Sequence, residues 1–369
     1  MKRQIAYVET SIPVNLQANE GRVLSLDGLR AMSILLVLFG HFLLPQSIRG
    51  IGAFGVTTFF FISGFLITRL LFNEIKLHGS IDILRFYLRR LLRLYPVIVV
   101  SIAVCVAYAL FRGQRIDLVE IAAVFFYFAN YLVFDRELAH QSFFLPIGPF
   151  WSLAVEEHFY LAFPAIFVAA KGRATLVARV AIATCIICLA LRCAYLLIWP
   201  SLVGTLATYW RSETRFDSIA FGVLLAALCE LPGYRGFMRR LLSPKVALAS
   251  VAALLASFAF REPFYQDTFR FTIQGLALLP IVGYLVFSEK PRLIYWLLNC
   301  PLAIWIGQLS YSLYVWHGAV IFLFSAFAYA YVGPAAYDVF LLVMSFAVAA
   351  LSYYVIEMPF MNLRRRLRR

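Results

Sequence analysis

The chain has 369 residues, of which 63% are hydrophobic and 14% charged, and its mean hydropathy is +0.83. Soluble domains carry roughly 25% charged residues, so this composition excludes an ordinary soluble protein and indicates an integral membrane protein. The formal net charge of +14 does not indicate nucleic-acid binding, because the excess lies in short clusters between apolar segments, where the positive-inside rule accounts for it. We therefore expect no nucleic-acid partner.

Long apolar segments recur from residue 28 to residue 357 and leave no room for a soluble catalytic domain. Only helices satisfy their backbone hydrogen bonds within one segment in lipid, and no alternating barrel strands are visible. The predicted fold is an all-α polytopic bundle of about ten transmembrane helices at residues 26–360. Residues 1–25 would form a short cytoplasmic segment and residues 361–369 a basic cytoplasmic tail. The candidate spans are 28–47, 51–73, 95–111, 117–134, 151–170, 175–199, 215–231, 245–261, 270–288, 307–330 and 336–357.

The basic clusters predict the orientation of the bundle. The arginines at 85–93 and the C-terminal run at 364–369 are assigned to the cytoplasm, so both chain ends are expected there. Counting spans forward from a cytoplasmic N-terminus and backward from a cytoplasmic C-terminus gives numbers that differ by one. One segment between residues 95 and 134 is therefore expected not to cross the membrane. Because 95–111 is short and opens with Pro96, we expect that segment to be re-entrant or tilted.

The first span carries two ionisable side chains, Arg30 and His41, eleven residues apart. Eleven residues at about 100° each come within about 20° of three full turns, so both side chains project from one face, about 16 Å apart along the axis. An ionisable group at such depth is costly unless it faces a polar cavity or a partner. We therefore expect both to open onto one cavity. The alternative is that Arg30 snorkels to the interface and His41 marks the far end of the span.

The segment at 85–95 places Arg85, Arg89 and Arg93 on one helix face opposite leucines, a pattern typical of a basic amphipathic helix on the cytoplasmic surface. Its arginines could serve topology and phospholipid binding. With Arg90, they could also hold the phosphates of a nucleotide-bearing donor, for which guanidinium groups are well shaped. The two roles are compatible.

A second motif places Ser152, Glu156 and Tyr160 on one face of an apolar helix, with Glu157 and a histidine beside them. Adjacent ionisable groups in a span are costly, which favours a catalytic or orienting role. A carboxylate here could reach His41 and fix its tautomer, the usual help given to a general base. The alternative is that the two glutamates pair with interfacial arginines.

A third motif places Ser310, Tyr314 and His317 on one face of a late span. The serine and the histidine lie about two turns apart, too far for a direct nucleophile pair. Hydrogen bonding to a substrate, or packing between helices, is the favoured interpretation.

Other polar residues are expected to be structural. Arg215 and Asp217 would form an ion pair at the start of a span. Cys185 and Cys188 have metal-ligand spacing, but no second pair or nearby histidine completes a site, so we expect no bound metal.

At these positions the sequence resembles the acyltransferase family 3 membrane proteins, over nearly its whole length. The motifs that carry the resemblance are LDGLRA at 26–31 with His41, FFFISGFLI at 59–67, YLRR at 87–90 with Arg93 and Pro96, WSL at 151–153 with Glu156, Glu157, Phe159 and Tyr160, Arg215 with Asp217 and Gly222, and SYSLY at 310–314 with Trp316 and His317. The C-terminal motif of the family is matched only in part. Met358 stands between Glu357 and Pro359 where the family usually has a basic residue. We therefore leave Glu357 outside the predicted site.

The resemblance implies an O-acyltransferase of the bacterial inner membrane that moves an acyl group, most often acetyl, to a sugar hydroxyl. The acceptor would be lipopolysaccharide, exopolysaccharide or a lipo-oligosaccharide, and the donor would be acetyl-CoA, as a substrate and not a bound cofactor. Acyl transfer needs a base and positive charge near the developing oxyanion. We expect His41 to be the base or a transient acyl carrier, Glu156 to orient it, and Arg30 to hold the donor. Further donor- or substrate-binding residues would be Arg89, Arg90, Arg93, Ser152, Tyr160, Ser310, Tyr314 and His317.

Two other classes of function remain open at this stage. A secondary transporter could use buried Arg, His and Glu side chains along a substrate path, although no internal repeat is visible. A non-enzymatic scaffold of glycan assembly would tolerate replacement of Arg30, His41 and Glu156.

Overall fold

A computed structural model describes residues 24–43, 50–287, 291–333 and 336–366. Most of the predicted N-terminal segment, the end of the first predicted span at 44–47 and the last residues of the basic tail lie outside these ranges. All secondary structure within the described ranges is helical, which confirms the predicted all-α class.

The part of the chain that the structure describes contains seventeen α-helices. They are α1 Leu24–Phe42, α2 Gly50–His78, α3 Ile83–Phe111, α4 Leu118–Phe125, α5 Ala129–Leu138, α6 Phe150–Ala169, α7 Ala174–Ile198, α8 Ala207–Trp210, α9 Ser212–Cys229, α10 Arg235–Leu241, α11 Pro244–Ala259, α12 Pro263–Asp267, α13 Phe269–Phe287, α14 Arg292–Asn299, α15 Pro301–Phe327, α16 Tyr337–Ser352 and α17 Met358–Arg366. Two π-helical turns, Ala328–Val332 and Tyr353–Glu357, follow α15 and α16.

Eight helical stretches of the described chain are long and apolar enough to cross a membrane, or nine if α10 and α11, bent by 55°, count as one span. Helix α9 falls outside this count because Glu213, Arg215 and Asp217 lie in its first two turns. It nevertheless packs inside the bundle against α2 and α7. Counted with α9, these stretches make nine or ten bundle helices, in agreement with the prediction of about ten from hydropathy.

The structure corrects the prediction for residues 83–138. Helix α3 runs without interruption through Pro96, so the amphipathic segment and 95–111 belong to one helix and the predicted re-entrant segment is wrong. Proline is tolerated in membrane helices because neighbouring groups satisfy the freed backbone carbonyl. The segment that forms no span is 117–134, which is divided into α4 and α5, helices of eight and ten residues. The break contains Tyr127, whose φ is +57°.

Glycines allow the helices that carry the polar motifs to approach closely. A Cβ on Gly307 of α15 would lie 2.1 Å from the carbonyl oxygen of Asp27 in α1, and one on Gly222 of α9 would lie 1.9 Å from that of Phe61 in α2. Small residues at such crossings permit backbone contact between membrane helices. These crossings join α15 to α1 and α9 to α2, and a Cβ on Gly55 of α2 would lie 2.5 Å from the carbonyl oxygen of Ser33 in α1, so α1, α2 and α15 pack closely around a shared polar interior.

Candidate active site

Helices α1, α2, α3, α6 and α15 enclose a cavity of about 210 Å³. Its polar lining consists of Arg30, Ser63, Arg89, Arg90, Arg93, Ser152, Glu156, Tyr160, Ser310, Tyr311 and Tyr314. Nine of the eleven predicted site residues therefore line one cavity, although they come from four helices distant in sequence. The other two, His41 and His317, do not line it.

Two arginines of α3 are paired with carboxylates. Arg89 Nη2 lies 3.3 Å from Glu74 Oε2. Arg90 donates from Nε to Glu157 Oε1 at 2.5 Å and from Nη2 to Glu156 Oε1 at 3.1 Å. The two glutamates of α6 therefore pair with an arginine, the alternative that the sequence had left open.

Ser63 is a lining residue that the sequence interpretation missed. Its hydroxyl donates to the carboxylate of Glu156 and shares a hydrogen bond with the hydroxyl of Tyr160. The guanidinium of Arg90 stacks on the Tyr160 ring, with Cζ 3.2 Å from the ring centroid. Ser63 carries the one hydroxyl in the apolar run at 59–67. A single polar side chain in such a run could have identified Ser63 as a candidate site residue from the sequence.

Arg30 and Arg93 differ from the two paired arginines. Within the described ranges, neither forms a hydrogen bond or an ion pair, and Arg93 Nε is buried without a partner. The hydroxyl of Ser310, 1% exposed, also lacks a partner among the described residues. These three side chains come from α1, α3 and α15 and line the same cavity, so their donors are available to an anionic ligand.

The two histidines contact each other beyond the cavity. The ring centroids of His41 and His317 lie 5.0 Å apart at an interplanar angle of 60°. His41 Nδ1 lies 2.8 Å from the carbonyl oxygen of Val37, and His317 Nδ1 lies 2.6 Å from that of Tyr314. Because a carbonyl oxygen only accepts, we assign the proton of each neutral ring to Nδ1, which leaves Nε2 as the basic nitrogen.

This geometry corrects the predicted contact between Glu156 and His41. The hydrogen-bond partners of Glu156 are Ser63 and Arg90, while a backbone carbonyl of the histidine's own helix orients His41. The reason is positional, because the carboxylate lies within reach of α3, whose arginine is the stronger partner.

Tyr314 separates the cavity from the histidines. Its hydroxyl lies 2.5 Å from Ser152 Oγ, and both residues line the cavity. The centroid of its ring is 5.5 Å from that of His317. The prediction that Arg30 and His41 open onto one cavity is therefore wrong. Arg30 lines the cavity, whereas His41 is exposed and contacts His317, whose other ring neighbour is Tyr314.

A second group of buried charges lies on α7 and α9. Arg192 Nη2 and Asp217 Oδ2 are 2.7 Å apart, and both side chains are fully buried. Arg215 donates to Thr57 Oγ1 at 2.9 Å and stacks over Phe271, with Cζ 4.1 Å from the ring centroid. The predicted pair of Arg215 and Asp217 is therefore wrong, since residues two apart on a helix do not face each other.

Comparison with known proteins places this arrangement in a family. A family model described as "Acyltransferase domain" (acyltransferase family 3) matches residues 23–354. "Putative O-acetyltransferase SACOL0978" of Staphylococcus aureus strain COL is 33% identical over 361 residues, which cover 91% of this chain and 56% of that protein. "O-acetyltransferase OatA" of Staphylococcus aureus strain NCTC 8325 is 30% identical over 350 residues, covering 90% of this chain and 56% of that protein.

The chain thus spans about half the length of the curated relatives it matches. No solved structure matches the chain significantly. The family model covers most of the membrane bundle and every helix that lines the cavity. The chain therefore belongs to the acyltransferase 3 family.

Proposed function

We propose that the protein is a multi-pass O-acetyltransferase that transfers an acetyl group from acetyl-CoA to a hydroxyl of a cell-surface or secreted carbohydrate. The observation that carries the proposal is the adjacency of two sites with complementary chemistry. One is a cavity with two unpaired guanidinium groups, and the other is a pair of imidazoles with Nε2 as the basic nitrogen. The family and the names of the relatives agree with acyl transfer.

The spacing of these sites fits the shape of a coenzyme A thioester. Arg30 and His41 lie about 16 Å apart along α1. The arm between the diphosphate and the sulfur of coenzyme A is about 13 bonds long, which corresponds to about 15 Å when extended. A donor whose diphosphate binds Arg30 and Arg93 can therefore present its thioester beside Tyr314 and the histidines.

The chemistry at the imidazoles needs no bound cofactor. His41 Nε2 takes the proton of the acceptor hydroxyl as that oxygen attacks the thioester carbonyl carbon. The carbon–sulfur bond breaks, and the proton on His41 passes to the departing thiolate, so the base returns to its neutral form. The hydroxyls of Tyr314 and Ser152 lie on the cavity side and can donate to the developing oxyanion. Acylation of His41 itself is the alternative route.

The charge distribution suggests how the two substrates reach the site. The cavity arginines lie toward the end where α2 finishes and α3 begins, which the positive-inside rule assigns to the cytoplasm. The donor would enter there. The acceptor, a lipid-linked or surface glycan such as lipopolysaccharide, exopolysaccharide or a lipo-oligosaccharide, would approach His41 from the opposite side of the inner membrane.

The test is acetylation by the full chain in vesicles, with radiolabelled acetyl-CoA and extracted surface glycans as acceptors. His41→Ala is expected to lower label transfer by about 10²-fold or more. The matched control is His78→Ala, which removes an exposed histidine at the end of α2 and should leave transfer unchanged. Normal transfer by His41→Ala would overturn the proposed role of His41. Movement of a solute without any covalent change would favour a transporter.

A further inference from the structure

The last bundle helix carries a buried carboxylate outside the cavity lining. Glu357 is 2% exposed and ends the π-helical turn Tyr353–Glu357 between α16 and α17. Turns of this type are rare and occur frequently at functional sites. The turn packs against α3 and α15, two of the helices that enclose the cavity.

Within the described ranges, the contact partner of the Glu357 carboxylate is a hydroxyl and not a cation. Its Oε2 accepts a hydrogen bond from the Ser312 hydroxyl at 2.8 Å, and within the described ranges it forms no ion pair at contact distance. A buried carboxylate normally has a cationic partner, because the loss of hydration is costly. A hydroxyl alone does not neutralise it.

The neighbours of Glu357 place it close to the cavity arginines. Its partner Ser312 lies two residues from Ser310 on the cavity wall, and the hydroxyl of the intervening Tyr311 donates at 2.7 Å to the carbonyl oxygen of Leu94, the residue after Arg93 in α3. This placement allows Glu357 to attract both Arg93 and Arg30 electrostatically. Within the described ranges, one carboxylate thus acts on the two cavity arginines that have no hydrogen bond or ion pair, without forming a salt bridge to either.

We propose that Glu357 is a positioning residue of the donor site, the counter-charge that holds Arg30 and Arg93 in place until the anionic group of the donor binds them. The inference rests on the proposed function, since an anionic donor is what the two arginines would bind. Binding is then a competition, in which donor and Glu357 both attract the same guanidinium groups. The competition weakens donor binding, and it also speeds the release of coenzyme A, which carries the same phosphates.

The test measures binding of coenzyme A to the full chain in nanodiscs by titration calorimetry, with steady-state kinetics alongside. Glu357→Gln keeps the shape and an oxygen that can accept from Ser312 but removes the charge. We expect about fivefold tighter binding of coenzyme A, from the Coulomb energy of one charge at short range in a hydrated cavity. KM for the donor and kcat should both fall, because the product leaves more slowly. The gain in affinity should shrink at high salt.

Two controls separate charge from structure. Ser312→Ala removes the hydrogen bond and keeps the charge, so coenzyme A affinity should change little. Glu230→Gln removes a carboxylate that pairs with Lys76 at 2.5 Å outside the cavity and should leave the affinity unchanged. A purely structural Glu357 would lower the amount of folded protein but would not tighten binding.

Unchanged or weaker binding by Glu357→Gln, with normal binding by the wild type, would overturn this inference alone. No binding of coenzyme A by the wild type would instead overturn the proposed function. If Glu357→Gln fails to accumulate, Glu357→Asp, which withdraws the charge by one methylene, should give a smaller gain of the same sign, and a loss of affinity would contradict the proposal.

Discussion

Two groups of arginines inside this bundle have different surroundings. On α7 and α9, Arg192 is paired with Asp217, and Arg215 is covered by an aromatic ring. In the cavity, Arg30 and Arg93 have no hydrogen bond or ion pair with any residue that the structure describes. Charge at membrane depth is therefore not sufficient to mark a binding site. What distinguishes the cavity group is the combination of space and unused hydrogen-bond donors.

The largest effect is expected on stability, at the buried ion pair between α7 and α9. Asp217→Asn leaves Arg192 without its partner among fully buried groups, and breaking such a pair costs about 3–5 kcal/mol. Thermal unfolding in detergent should show a strongly lowered midpoint. Replacement of both residues by leucine should recover much of the loss, because no uncompensated charge remains. An unchanged midpoint for Asp217→Asn would show that the pair is dispensable.

On the cavity side, Arg30→Ala and Arg93→Ala should leave the unfolding midpoint nearly unchanged. Each removes a cation that forms no hydrogen bond or ion pair within the described ranges, but each also removes charged hydrogen bonds to the donor, worth about 1.5–3 kcal/mol. We expect KM for acetyl-CoA to rise by about 10- to 100-fold. Arg30→Lys should recover only part of this, since an ammonium group lacks the planar fork. A normal KM in both alanine variants would remove the basis of the comparison.

A smaller effect is expected at Tyr314, which lies between the cavity and the histidines. Tyr314→Phe keeps the ring against His317 but loses the hydroxyl that contacts Ser152. We expect kcat to fall by about tenfold, or about 1.4 kcal/mol, with little change in KM, as measured in single turnovers. Ser152→Ala should behave similarly, and the double variant should be no worse than either, because the two hydroxyls act together. Fully additive losses would argue against a shared role.

The smallest effect is expected at a paired arginine. Arg89 is held by Glu74 at 3.3 Å, so its guanidinium group is already engaged by a carboxylate and is less available to the donor than those of Arg30 and Arg93. Arg89→Ala should therefore raise KM for the donor by less than about fivefold. A rise as large as that of Arg30→Ala would show that the paired arginines also bind the donor, and the distinction between the two classes would fail.

Much of the fold was predictable because hydropathy is a local property. The apolar segments gave the helical class and the approximate number of bundle helices. The error at 117–134 arose because an apolar window does not reveal a break. There Arg136 pairs with Asp117 and Glu120, and Glu120 also accepts from the backbone N–H of Leu145 at 2.7 Å. These contacts fix two short helices and a loop in place of a span.

The site was predictable to the extent that it follows helix periodicity. Spacing placed Ser152, Glu156 and Tyr160 on one face, and the structure places all three on the cavity wall. Periodicity could not predict which side chain meets which across helices. Glu156 could pair with an imidazole or with a guanidinium. It pairs with Arg90 because α3 lies beside α6.

The sequence by itself determined that this protein is a helical membrane bundle and which residues carry its polar motifs, because hydrophobicity and the 3.6-residue repeat act within one segment. Only the tertiary structure decided the partners: His317 beside His41, Ser63 beside Glu156, and Arg192 with Asp217. It also decided which arginines remain unpaired. The physical reason is that these contacts join helices distant in the chain, so they depend on how close two backbones can approach, and glycines such as Gly307 set that approach.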